Sequence, residues 1–327
     1  MKELVRNFST QLQEALIIAQ NYKFITPQKE FANVVLTGLG GSGIGGSIVQ
    51  NYSFNKLKIP FVVNKDYFLP AFVNAKTLLL VCSYSGNTEE TLQAMQQGLK
   101  AKATIVCITS GGKVAEIARK KKLDCILLPA GMPPRSCIGY SLVQILAALN
   151  YFNLLPADYI KETKAAIKLL NADEKAIQRT ALQLAKKLHH KLPVIYSGAE
   201  LEGLSVRIRQ QLNENGKILC WHNIIPEMNH NELVGWRDKD NDKVVIILKN
   251  DADYDNVKMR MKLNKDVIKK YTKNIIELEP KGKTFWEKVY YLIHLTDWAS
   301  VYLADLRNMN ATEVKVIDEL KKALAKA

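Results

Sequence analysis

Two stretches of the chain alternate short β-branched runs with segments of helical period, the pattern of a parallel sheet covered by helices. In the first stretch the runs are 34–38, 59–64, 77–82, 104–109 and 125–129, separated by helical patterns at 43–51, 89–99 and 113–121. Leu78-Leu79-Leu80-Val81-Cys82 is apolar throughout, as a strand buried on both faces should be. A mostly helical section follows at 141–192, rich in Lys and Ala and without Gly. The alternation then restarts with strands at 194–196, 244–248 and 275–278 and a helix at 200–213. An amphipathic helix at 1–22 opens the chain, and a long helix at 285–307 with a short one after it closes it. The expected fold is α/β, one doubly wound, flavodoxin-like unit used twice. Its halves are 1–152 and 153–327, each a mostly parallel sheet flanked by helices.

A length of 327 residues suits two such units. With 47% hydrophobic and 24% charged residues, the balance is that of an ordinary globular protein. The longest greasy segment, 141–155, is broken by Gln144, Asn150 and Asn153, so no membrane partner is expected, and no stretch reads as a secretory signal. Five cysteines (82, 107, 125, 137 and 220) form no CxxC pair, and Cys82 and Cys107 fall inside strand runs. Buried reduced thiols, and hence a cytoplasmic protein, are expected. The formal charge of +14 could favour nucleic acid or phosphorylated metabolites. The lysines are scattered, however, and the one tight run, 119–122, closes a predicted helix whose dipole it complements. No nucleic-acid partner follows.

Candidate chemistry begins at the first strand exit, Gly38-Leu39-Gly40-Gly41-Ser42-Gly43-Ile44-Gly45-Gly46. Such a stretch lets backbone approach a ligand and aims helix amides at an anion. GxGxxG occurs twice in it, with Asp66 available downstream for a dinucleotide ribose, but glycines this dense match by overlap. The next strand exit, Ser83-Tyr84-Ser85-Gly86-Asn87-Thr88, points elsewhere. Capping the following helix requires one hydroxyl, whereas three beside a glycine loop suit a phosphomonoester dianion. Gly40, Gly41, Ser42, Ser83, Ser85 and Thr88 are therefore the candidate substrate-binding residues.

Ser83-Tyr84-Ser85-Gly86-Asn87-Thr88 resembles the S-x-S-G-x-T phosphate loop of the sugar-isomerase (SIS) family, and Gly40-Gly41-Ser42 its first sugar-contacting loop. Four further strings narrow the resemblance to the bifunctional phosphoglucose/phosphomannose isomerases. They are Pro133-Pro134-Arg135, Asn213-Glu214-Asn215-Gly216-Lys217, Pro226-Glu227-Met228-Asn229-His230-Asn231 and Ile317-Asp318-Glu319-Leu320-Lys321, in the family's order. The resemblance implies two SIS domains and interconversion of glucose 6-phosphate and mannose 6-phosphate with fructose 6-phosphate through a cis-enediol. It implies no metal and no cofactor, and the sequence contains no HxH, HExxH or Cys/His cluster.

Residue roles follow from the same resemblance. Glu214, which by itself reads as a solvated carboxylate at a helix end, takes the place of the catalytic base. Arg135, in a proline-stiffened loop, would stabilise the enediolate. His230, one of only five histidines and set in a polar loop, would open the sugar ring from the neighbouring subunit of a homodimer. His189, His190, His222 and His294 have no comparable context and read as structural or surface residues. Lys321 matches a lysine assisting ring opening, with the adjacent Lys322 leaving its register open. Asn310-Ala311-Thr312-Glu313-Val314 departs from the family's proline-containing version, where recognition of C2 is in question. Two other readings stay open. One is a non-catalytic SIS sensor of sugar phosphates, which would not need Glu214, His230 and Arg135 together. The other is an SIS isomerase of another sugar phosphate.

Overall fold

The computed structural model describes residues 1–324; the last three residues of the expected second half, 325–327, lie outside the described residues. Two short helices, α1 (Lys2–Arg6) and α2 (Phe8–Asn21), precede a first unit of β1 (Asn33–Thr37), α3 (Gly40–Ser53), β2 (Phe61–Asn64), β3 (Thr77–Cys82), α4 (Glu89–Lys100), β4 (Thr104–Thr109), α5 (Gly112–Lys121), β5 (Asp124–Leu127) and α6 (Ile138–Tyr151). The long helix α7 (Asp158–Leu188) leads into β6 (Leu192–Gly198), α8 (Glu202–Glu214), β7 (Trp221–Ile225), β8 (Lys243–Leu248), α9 (Asp255–Ile268), β9 (Ile275–Leu278), α10 (Phe285–Leu306) and α11 (Lys315–Leu324).

The first sheet has strand order β2-β1-β3-β4-β5 and the second β7-β6-β8-β9, every pairing being parallel. Both are doubly wound, and the first has the flavodoxin-like order. The second sheet holds four strands, not the three expected. The additional strand β7, Trp-His-Asn-Ile-Ile, lies on an edge and is only half-buried over its first four residues, so it carries little apolar signal. Helix α9 escaped the sequence pattern for a related reason: only Met261, Asn264 and Ile268 of its fourteen residues are buried.

Alternation within the strands sorts the core. Val34, Leu36, Leu78 and Leu80 face an interior they share with α2, α3, α6, α7, α8 and α10, together with Ile195, Val244 and Ile246 of the second sheet. Val35, Leu79 and Val81 face the opposite way, against α4 and α5, and Val194, Val245 and Ile247 face α9. One apolar interior therefore runs through both sheets. Helix α10 starts from a complete capping box between Thr284 and Glu287 and carries His294, buried and bonded through Nε2 to Glu174 Oε2 at 2.5 Å. The five cysteines are free, and burial pushes the Cys82 thiol up to about 12. Among the described residues no helix is long and apolar enough to cross a membrane.

The switch point of the second sheet, between the exits of β6 and β8, is acidic. Asn250 Nδ2 donates to Glu200 Oε2 at 2.7 Å, and Asp253, 9% exposed, has Oδ2 without a partner. Burial, with Glu200 adding repulsion, pushes the Asp253 carboxyl up to about 6. Its folded value exceeds the unfolded value, so its contribution to stability is greatest below pH 4 and falls as pH rises toward 6. Asp253→Asn removes that fall. Urea unfolding should show the variant more stable at pH 7.5 by roughly 2 kcal/mol, the difference vanishing near pH 4. Equal stability at pH 7.5 would refute the assignment.

Candidate active site

At the first sheet's switch point the exits of β1 and β3 lie side by side. Helix α3 begins at Gly40, three residues earlier than the pattern predicts, so Gly40, Gly41 and Ser42 form its first turn rather than the loop before it. Its N-cap, Leu39, has no side-chain oxygen to offer; the Ser42 amide donates to the Leu39 carbonyl at 3.1 Å, and the Gly40 and Gly41 amides ahead of it stay open toward an anion. Ser42 Oγ accepts from the Tyr84 amide at 2.9 Å, joining the glycine turn to the serine loop while keeping its own hydroxyl hydrogen for a ligand. Ser83, fully buried, donates through Oγ to Thr88 Oγ1 at 3.1 Å. Thr88 is the N-cap of α4, yet its side chain makes no capping bond, so capping does not account for this hydroxyl. Ser85 is exposed and its Oγ accepts from the Asn87 amide at 3.3 Å. Gly86 is obligatory between them: its φ is +67° and a Cβ would sit 1.8 Å from the Gly111 carbonyl oxygen.

Gly41 ties this cradle to the next feature. A Cβ there would lie 2.8 Å from the Arg135 amide nitrogen, so only glycine lets the Pro134-Arg135 backbone approach. The Tyr84 hydroxyl stiffens the same segment, donating to the Pro129 carbonyl at 2.8 Å and accepting from the Met132 amide at 3.1 Å. Arg135 sits in a 3-10 turn, Pro134–Ser136, and is 3% exposed. Its Nε donates to Asn215 Oδ1 at 2.8 Å, and its NH1 reaches Glu214 Oε2 at 3.4 Å. Its NH2 donates to the carbonyls of Ala311 and Thr312 at 2.8 and 2.9 Å. A guanidinium has five N–H donors, so one, on NH1 beside Glu214, remains for a substrate. Burial lowers the Arg135 pKa and Glu214 opposes that shift; the group stays cationic at neutral pH.

Glu214 ends α8 with its carboxylate partly open to solvent. Lys217 Nζ donates to the Glu214 carbonyl at 2.6 Å and to the Glu313 carbonyl. Arg135 and Lys217 together hold the strap 311–313 over this corner. Behind it, Arg207 NH2 donates to Asp297 Oδ2 at 2.8 Å, and Gln211 Nε2 donates to Asp297 Oδ1 at 2.9 Å. Tyr84, Asn215 and Lys217 lie inside the quoted motifs and 311–313 inside the stretch that departs from the family pattern, but the sequence assigns none of them these contacts.

The structure thus brings the two strand exits, Arg135 and Glu214 into one region, and among the described residues His230 and Lys321 share no hydrogen bond or ion pair with it. Helix α8 runs back from the exit of β6, placing Glu214 at the opposite edge of the second sheet from the exit of β7. His230 follows that exit, exposed at the end of the 3-10 turn Glu227–His230. Lys321 and Lys322 are both exposed on α11, a helix with no buried residue.

A cavity of about 620 Å³ lies elsewhere, at the exits of β8 and β9. It has no hydroxyl cradle, and Lys249, Lys265 and Lys288 at its edge are already paired with Glu279, Glu277 and Asp251. It does not host the arrangement described above. Among the described residues no group of three or more His, Cys, Asp or Glu could hold a metal ion.

Two doubly wound parallel sheets, with a glycine turn and hydroxyl loop at one switch point, define a double-SIS phosphosugar protein. Consistent with that class, a family model described as bacterial phospho-glucose isomerase C-terminal SIS domain matches residues 177–324. The C-terminal domain of glucosamine-fructose-6-phosphate aminotransferase from Francisella tularensis superposes with a TM-score of 0.78 over 96% of this chain and 98% of that one. At 14% identity this is a likeness of fold alone. A bifunctional phosphoglucose/phosphomannose isomerase from Caldicellulosiruptor bescii is 37% identical over 335 residues, covering 99% of each chain. Another from Aquifex aeolicus is 34% identical over 310 residues, 93% of each. The chain belongs to the family of bifunctional phosphoglucose/phosphomannose isomerases, as the order of its motifs implied.

Proposed function

We propose that this chain interconverts glucose 6-phosphate and mannose 6-phosphate with fructose 6-phosphate, as a metal-independent cytoplasmic homodimer. The observation that carries the reading is the Arg135 guanidinium, with one free N–H, against the Glu214 carboxylate. The N-terminal half, 1–152, holds the phosphate through the α3 first turn and the hydroxyls of Ser42, Ser83, Ser85 and Thr88. The second half, 153–327, brings Glu214. The Glu214 carboxylate takes the C2 proton of the open-chain aldose, and the electrons move onto the carbonyl oxygen to give a cis-enediolate. The Arg135 NH1 donor stabilises that negative charge, the hydroxyl proton of O2 passes to O1, and Glu214 returns the carbon proton at C1 to leave a C2 ketone and a C1 hydroxyl. Glucose and mannose configurations differ only at C2, which becomes planar in the enediolate, so both lead to one intermediate. His230 of a second copy, assisted by Lys321, opens the ring. The resemblance to relatives in which this histidine comes from the neighbouring subunit, together with the exposure of His230, supports supply across an interface.

The test is an assay of the purified protein on fructose 6-phosphate with EDTA present, following both aldose phosphates separately. Both products are expected. Glucose 6-phosphate alone would remove the mannose half of the proposal, and loss of activity in EDTA would remove metal independence. If neither forms while fructose 6-phosphate still raises the melting temperature, the chain is a sensor and the proposal fails.

A further inference from the structure

We propose that Asn215 is a positioning residue for Arg135, locking its guanidinium so that the free NH1 donor faces the reacting carbons; this rests on the isomerase reading above. Asn215 follows Glu214 directly and is fully buried. Its side-chain amide is used at both ends. Oδ1 accepts from Arg135 Nε at 2.8 Å, and Nδ2 donates to Ser300 Oγ at 3.0 Å. Ser300, also fully buried, passes its own hydroxyl hydrogen to the Asp297 carbonyl at 2.7 Å. The direction of the chain is therefore determined. With the Ser300 hydrogen committed to a carbonyl, its oxygen can only accept from Asn215, and Asn215 must then turn its oxygen to Arg135. Reversing the amide would set an N–H donor against the Arg135 Nε donor.

The consequence for Arg135 is orientational. Two NH2 bonds go to carbonyls of the strap, a partly buried loop between the end of α10 and the exposed α11, and the NH1 contact with Glu214 is long at 3.4 Å. The Asn215 bond is the one that ties the guanidinium to fully buried side chains, Asn215 itself and, through it, Ser300 on α10. Remove it and the planar group can turn about its own stem, carrying the remaining donor off line. The phosphate cradle is built from other elements and shares no bond with Asn215, so substrate binding should be spared while the chemical step suffers.

Asn215→Ala should lower kcat about 30- to 100-fold with KM for fructose 6-phosphate within about threefold, the scale of a misplaced catalytic group. Asn215→Asp keeps the acceptor for Nε and should recover kcat to within about fivefold of wild type. Ser300→Ala, which loosens the amide without removing it, should show the same kcat-only pattern at about 3- to 10-fold and serves if Asn215→Ala does not fold. A merely structural role would lower the melting temperature of the Ala and Asp variants alike and give no rescue of kcat. The inference is overturned if Asn215→Ala, or failing its folding Ser300→Ala, keeps wild-type kcat, or if Asn215→Asp is as slow as Asn215→Ala. Glu214→Gln assayed alongside separates the two levels. An active Glu214→Gln defeats the underlying isomerase assignment, whereas an inactive Glu214→Gln beside a wild-type Asn215→Ala defeats only the positioning role.

Discussion

Glu214→Gln should reduce kcat on fructose 6-phosphate by about three orders of magnitude or more, the loss expected when a proton-carrying base is removed. The substitution is conservative in shape. Glutamine keeps an oxygen for Arg135 NH1, so the contact at 3.4 Å and the fold of the strap remain. What disappears is the capacity to take a proton from carbon. KM should change little, because the substrate phosphate binds at the exits of β1 and β3, on another half of the chain. Melting temperature should hold as well, since the carboxylate is partly solvated and its ion pair with Arg135 adds little to stability. Activity within tenfold of wild type would remove Glu214 from the reaction and return the question to a different carboxylate.

Asp297→Ala should destabilise the protein by about 3–5 kcal/mol, the usual penalty for stranding a buried charge. Arg207 is 0% exposed and donates to Asp297 at 2.8 Å, while its Nε and NH1 already lack partners. Burial pushes the Asp297 carboxyl up and Arg207 opposes that shift. Deleting the acid leaves the guanidinium alone in the apolar interior. Replacing both residues, Arg207→Met with Asp297→Leu, should cost less than the single change, because no charge is then left unpaired. Urea unfolding of the three variants reads this directly. Equal losses for the single and double replacements would show that packing, not charge, holds α8 to α10.

Much of the first sheet was legible because its strands are buried on both faces and its turns are rich in Gly and Ser. Strands β3 and β4 fall on the residues the hydrophobic runs marked. The second sheet was less so. Strand β7 is a half-buried edge, and α9 shows solvent most of its surface, so neither writes a strong apolar period. Motifs could name Arg135 and Glu214 but not their contact, which joins residues 79 apart in sequence. The Asn215–Ser300 bond spans 85 positions and uses residue types that are ordinary anywhere, so no local pattern reveals it. For His230 and Lys321, both exposed, the roles come from the resemblance alone.

The continuous apolar interior has a bearing on how substrate comes and goes. Helices α2, α3, α6, α7, α8 and α10 pack into one cluster with both sheets. Opening the halves like a clamshell would expose that whole surface to water, far too unfavourable for a turnover event. Traffic through the site must therefore rely on small parts at its rim. The strap 311–313 is such a part: hydrogen bonds to Arg135 and Lys217 hold it over the catalytic corner, and it continues into α11, which has no buried residue. This is a rigid vessel with a latched door.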